Sequence, residues 1–124
     1  QEVAAWRKKL TQAWPKVRVR RLDEPAAEIT AGSALPIRVA VHLNGLQPDD
    51  VLVECLVGTE SESGEFLARD RHVFTLEKPG ENGDALFRLD LRPRLAGLQH
   101  YKIRAYPFHH CLSHRFEAGY MIWL

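Results

Sequence analysis

The chain has 124 residues, 45% of them hydrophobic and 27% charged, with a net charge of +1 at pH 7. That suits one soluble globular domain, which buries roughly two-thirds of its unfolded surface and needs no staples. Two cysteines exclude a disulfide scaffold, no apolar run reaches the length of a membrane span, and no basic-then-apolar signal peptide opens the chain. With Gln1 first and Met121 the only methionine, the chain is expected to be a piece of a longer or processed product.

Charge is uneven along the chain. Residues 1–22 carry seven basic side chains against the single acid Glu2, while the remainder carries ten basic against fifteen acidic groups. A basic leader can serve nucleic acid, but no Gly-Arg repeats accompany this one. Its basic residues read as the polar positions of a helix and a strand, able to face an acidic body, its own or a neighbouring domain's. Neither nucleic acid nor a membrane is expected as a partner.

Residues 2–14 are predicted helical, because Val3, Trp6, Leu10 and Ala13 or Trp14 recur at three- and four-residue steps. Pro15 disfavours helical geometry at Trp14 and should end the helix. This sets a leader helix over 1–15 apart from a β-sandwich domain over 16–124. The short helix is marginal alone, so Val3, Trp6, Leu10 and Trp14 are expected to form a docking stripe. Trp6 is expected to face a partner and not its own sandwich.

After Pro15 the period changes to two. Residues 16–20 alternate, and 23–34 read as a linker with a short strand near Ile29. Ile37, Val39, Val41 and Leu43 mark the next strand, and Asn44-Gly45 with Pro48-Asp49-Asp50 mark its turn. Val51, Val53, Cys55 and Val57 share a face of the following strand, and 59–65 form a polar loop. One strand is predicted over 66–76, turns over 77–84, a strand over 87–91, a loop over 93–99 and a strand over 101–105. Residues 107–117 read as irregular, and 119–124 as a last strand. Seven or eight short strands with turn clusters predict an antiparallel immunoglobulin-like β-sandwich, mainly β, with an N-terminal amphipathic helix.

Chemistry is sparse. His109, His110, Cys111 and His114 lie within six residues and are good zinc ligand types, but a structural zinc site draws on two knuckles and no second one exists. No metal is expected there. Cys111 beside His110 or His114 lacks an oxyanion hole for nucleophilic catalysis. Asp49-Asp50 and Glu60, Glu62 and Glu65 read as solvated turn carboxylates, not a glycosidase pair. No glycine-rich phosphate loop precedes a helix. Cys55 and Cys111 are expected to be reduced thiols, which points to the cytoplasm. Among the aromatics Tyr101, Tyr106, Phe108, Tyr120 and Trp123, the candidates for stacking on a sugar are Tyr106, Phe108 and Trp123, although alternation suits most of these rings equally to the core.

Three stretches resemble a known family. Leu46-Gln47-Pro48-Asp49-Asp50-Val51-Leu52-Val53-Glu54, then Gly58, is similar to the L-x-P-x-D-V-x-V-E…G strand entry near the end of bacterial α-glucan phosphorylases. Tyr101 to Pro107, His109, and Glu117 to Trp123 resemble that family's terminal Y-x-x-R-x-x-P-x-H…E-x-G-x-x-x-W stretch. Trp6 and Trp14-Pro15-Lys16-Val17 are similar to its W…W-x-x-V leader. The chain departs from the pattern at His110-Cys111, where the family more often has a proline-bearing turn.

The resemblance implies a parent enzyme that uses pyridoxal phosphate to cleave α-1,4-glucan with inorganic phosphate, releasing glucose 1-phosphate. No position here matches the family's cofactor lysine or phosphate-binding motifs, so no catalytic or cofactor-binding residue is expected. The chain would be the accessory C-terminal domain, packed on its own catalytic body and open to contact with glucan. A stand-alone β-sandwich interaction module is the alternative, and a small metal-binding protein using the His109–His114 loop is the second.

Overall fold

A computed structural model describes residues 2–22, 28–30, 35–79, 83–92, 98–109, 112, 116 and 118–124. Helix α1 spans Glu2–Ala13, and a 3-10 turn over Trp14–Lys16 follows it with Pro15 inside. The helix ends one residue earlier than expected because the tighter turn takes up Trp14, whose carbonyl accepts from Val17 N at 2.9 Å.

Nine strands form two antiparallel sheets among the described residues. The first sheet runs β1 (Arg18–Arg21), β3 (Leu35–His42), β7 (Asp84–Leu91), β6 (Thr75–Pro79). The second runs β2 (Glu28–Thr30), β8 (Leu98–Pro107), β4 (Val51–Glu60), β5 (Phe66–Val73), and β9 (Ile122–Trp123) pairs with the far end of β8. The inner faces follow the alternation of the sequence. Ile37, Val39 and Val41 of β3 and Phe87 of β7 share one buried cluster with Val51, Val53, Cys55 and Val57 of β4 and Ile103 of β8.

The single strand expected over 66–76 is two. β5 stays on β4, while β6 belongs to the opposite sheet, beside β7. The switch occurs at Phe74, which is 4% exposed and donates its backbone N–H to Val53 O at 2.9 Å. The sequence marks no boundary there, because no glycine, proline or asparagine falls between Phe66 and Lys78.

The turn between β3 and β4 forms as its residues predict. Asn44 (φ 49°) and Gly45 (φ 94°) both take positive φ, as a two-residue reverse turn requires. The Asn44 side chain donates to Ala13 O at 3.0 Å, closing the carbonyl end of α1.

Trp6, Leu10, Ala13 and Trp14 of the leader are all buried and belong to the same cluster as the sandwich strands. Trp6, expected to face a partner, is 7% exposed within its own chain. Each buried tryptophan contributes roughly 2–3 kcal/mol by the area removed from water, which decides why a helix too short to stand alone is ordered here.

Gly58 sits where the β4–β5 register shifts, between Val57 and Gly58. A Cβ there would meet backbone: the Leu67 carbonyl oxygen, Leu67 C at 2.8 Å and Ala68 Cα at 3.0 Å. Gly58→Ala is therefore expected to destabilise the chain by about 2–3 kcal/mol, as overpacking against atoms that cannot rotate away. Chemical denaturation checks this, and a loss below about 1 kcal/mol would mean that the bulge relaxes freely.

Candidate functional site

Glu54 lies on the outward side of β4, opposite in phase to Val53 and Cys55, yet its relative exposure is 0%. Register explains its partners. It faces Arg104 of β8 directly, and its neighbours Leu52 and Leu56 face Tyr106 and Arg71. Arg104 Nε donates to Glu54 Oε1 at 2.8 Å, the Tyr106 hydroxyl donates to Oε2 at 2.8 Å, and Arg71 Nη1 also donates to Oε2. Burial alone would push the Glu54 carboxyl up. The hydrogen bonds from Tyr106, Arg71 and Arg104 outweigh it and hold the group below its ordinary value of 4.5.

A carboxylate so saturated is a poor proton acceptor or nucleophile. Its work is to fix Arg104. That guanidinium lies 4.8 Å from the centre of the Phe116 ring, 5.6 Å from Tyr106 and 5.7 Å from Trp123. Trp123 is 52% and Phe116 40% exposed. The outer face of the second sheet thus bears an arginine clamped between aromatic rings, two of them open to solvent.

A second cluster ties the leader to the sandwich. Trp6 Nε1 donates to Asp50 Oδ1 at 3.0 Å, and Asp50 Oδ2 accepts from Gln47 N at 2.8 Å. Phe108 N donates to Asp50 O at 2.9 Å, and the His109 ring lies 5.1 Å from Trp6. Asp50, expected to be a solvated turn carboxylate, therefore holds the helix, the entry to β4 and the exit from β8 in one place. At the other end of the leader, Trp14 lies 5.8 Å from Tyr120.

The candidate residues divide accordingly. Trp6, Leu10 and Trp14 are inside the core, and the Val3 side chain lies outside the described residues. Tyr106 is 0% exposed and offers no face to a sugar, Phe108 is half-buried, and Trp123 is open. His109 packs on Trp6, whereas His110, Cys111 and His114 lie outside the described residues. Among the described residues no group of three His, Cys, Asp or Glu could hold a metal ion. The Glu54 hub was missed by sequence reasoning. A lone acid in an otherwise apolar run, Val51 to Val57, was the signal that could have found it.

These contacts join the residues of the quoted motifs to one another: Glu54 to Arg104, Arg104 to Trp123, and Trp6 to Asp50 and His109. A family model described as "Glycogen phosphorylase C-terminal domain" matches residues 14–124. The chain belongs to the glycogen phosphorylase C-terminal domain family. It is 32% identical over 127 residues to a maltodextrin phosphorylase of Thermococcus litoralis, covering 98% of this chain. It is 31% identical over 121 residues to glycogen phosphorylases of Mycobacterium bovis and Mycobacterium tuberculosis, covering 95% of this chain. It spans 14% of the length of each of these relatives. No solved structure matches it significantly. As a glycogen phosphorylase C-terminal domain, it is mainly antiparallel β with one N-terminal helix, as its residues predicted.

Cys55 is a free thiol, 0% exposed on the inner face of β4, and burial pushes it up to about 12. Since the thiolate is the nucleophile, Cys55 in the folded domain is expected to react with an aromatic disulfide reagent at least about a hundredfold more slowly than in urea. Mass mapping of the labelled residue checks this, and fast native labelling would show that the sandwich opens readily.

Proposed function

We propose that the chain is the non-catalytic C-terminal part of an α-glucan phosphorylase, packed on the catalytic body of its own parent. The parent's reaction would be phosphorolysis of α-1,4-glucan to glucose 1-phosphate with pyridoxal phosphate, in the cytoplasm. The free Cys55 thiol supports that compartment. The likeness to maltodextrin and glycogen phosphorylases supports the parent. Strand order supports an immunoglobulin-like sandwich, since β1-β3-β7-β6 and β5-β4-β8 with β9 follow the A-B-E-D and C′-C-F-G arrangement.

The domain itself does not fit the cofactor. A Schiff-base lysine needs a desolvated pocket, and Lys8, Lys9, Lys16, Lys78 and Lys102 are all exposed. The cofactor would therefore sit elsewhere in the parent.

One observation carries the docking reading. Trp6, Leu10 and Trp14 hold the leader on the sandwich, which leaves Lys8, Lys9, Lys16 and Arg18 exposed along it. The apolar stripe is thus the anchor, and the basic side is what an acidic catalytic body would meet. In the full-length parent, Lys8→Glu, Lys9→Glu and Lys16→Glu together are expected to free this domain, seen as faster proteolysis at the junction, while leaving the isolated chain's melting temperature unchanged. An unchanged cleavage rate would overturn docking through the leader. The exposed Trp123, backed by Arg104, favours a second role in touching glucan, and Trp123→Ala should then abolish retention of the chain on immobilised glycogen.

A further inference from the structure

On the outer face of the second sheet, beside the Glu54 hub, lies an open cleft of about 480 Å³. Its floor is Leu56 and Ala68, its basic side is Arg69, Arg71 and Arg104, and Phe116 borders it. The volume exceeds what a bare anion needs and falls in the range of roughly 300–1,000 Å³ typical of small-ligand sites.

Among the described residues, the charges in the cleft do not cancel. Arg71 and Arg104 share the single carboxylate of Glu54. Arg104 is 12% exposed and already bonded through Nε and Nη2, so it is occupied. Arg71 is 39% exposed, and among the described residues its side chain donates from Nη1 to Glu54, one of the five N–H groups on a guanidinium. Arg69 is exposed and makes no side-chain hydrogen bond or ion pair among the described residues. Asp70, the one acid among the described residues that line the cleft, is otherwise engaged. Its Oδ1 accepts from Arg71 N at 2.9 Å, and its Oδ2 lies 3.1 Å from His72 Nε2.

Two guanidinium forks with open donors suit an anion of three oxygens and two charges better than a carboxylate, which one fork satisfies. Beside them, the Phe116 ring is held by Tyr106 at 5.0 Å and Arg104 at 4.8 Å and is 40% exposed. A pre-positioned ring of this kind stacks on a flat or ring-shaped body.

We propose that this cleft binds a small phosphate monoester carrying a ring, with Arg69 and Arg71 on the phosphate and Phe116 against the ring. The register shift after Val57 makes the site, since it sets Ala68 opposite Gly58 and brings Arg69 and Arg71 to one cleft. The site is separate from the leader and stands whether or not the leader docks.

The test is calorimetric titration of the 124-residue chain at constant ionic strength with phenyl phosphate, inorganic phosphate and phenol as probes. Phenyl phosphate is expected to bind at one site, about three- to tenfold tighter than inorganic phosphate, with phenol not binding. Arg69→Ala, which removes no hydrogen bond or ion pair among the described residues, should weaken both phosphates about tenfold. Phe116→Ala should weaken phenyl phosphate alone. No binding by either phosphate would overturn the proposal, as would an unchanged affinity in Arg69→Ala. Equal affinity for the two phosphates would overturn the ring. Backbone amide shifts in the unaltered protein give a readout independent of the variants: perturbation centred on residues 68–71 supports the site, and perturbation elsewhere sinks it.

Discussion

Glu54→Gln is expected to destabilise the domain by about 3 kcal/mol, the lower end of the range for removing one partner of a buried ion cluster. The substitution keeps the shape and removes the charge, so Arg104, 12% exposed, loses the anion that compensates it. The new amide also brings a donor to a site already crowded with donors from Tyr106, Arg71 and Arg104. The lower end applies because Arg71, at 39% exposed, can return to water. Tyr106→Phe, which deletes one donor and keeps the ring, is expected to cost about 1–2 kcal/mol. Urea denaturation measures both.

The same cluster predicts acid sensitivity. Glu54 is held below its ordinary value, so the folded state binds its proton less readily than the unfolded chain. Its contribution is complete above the ordinary carboxylate value of 4.5 and is lost as pH falls through the lower folded value. Glu54→Gln should therefore flatten the fall in stability below that point. A Glu54→Gln protein within about 0.5 kcal/mol of the unaltered chain, with the same acid limb, would remove Glu54 from the account of how Arg104 is held.

Trp6→Ala is expected to cost about 3–5 kcal/mol in the isolated 124-residue chain, as a large buried ring deleted from a packed core. The ring is 7% exposed, packs on His109 at 5.1 Å and donates to Asp50 at 3.0 Å. Trp6→Phe keeps most of the apolar area and loses the donor, so about 1–2 kcal/mol is expected from the weakened packing and the bond. A neutral Trp6→Ala would mean that the leader is not part of this core and that Trp6 serves only a surface beyond the chain.

Much of the strand pattern was legible because it rests on local rules. Ile37-Val39-Val41 and Val51-Val53-Cys55-Val57 fall on inner faces because side chains alternate along any strand, whatever it pairs with. Asn44-Gly45 forms its turn because few other residues tolerate positive φ twice in succession. The helical stripe was equally legible, and so was the end of the helix beside Pro15.

Long-range partners were a different matter. Periodicity says which residues of the leader share a side but not what that side meets: nothing local shows that Asp50, 44 residues on, accepts the Trp6 N–H. Tyr106 was a candidate platform because nothing local says that Glu54, 52 residues earlier, buries its hydroxyl. The split at Phe74 is illegible for a like reason: no turn residue separates the two strands, and only their pairing with β4 and β7 places them in different sheets.

The β class, the leader helix and the motifs that place the chain among phosphorylase C-terminal domains are local properties, since each depends on neighbouring residues or short spacings. The Glu54–Arg104 hub, the burial of Trp6 and the arginine cleft arise from long-range packing. The hub and the cleft depend on register between β4, β5 and β8, and Trp6 on Asp50, 44 residues away; such pairings join residues that no local period relates.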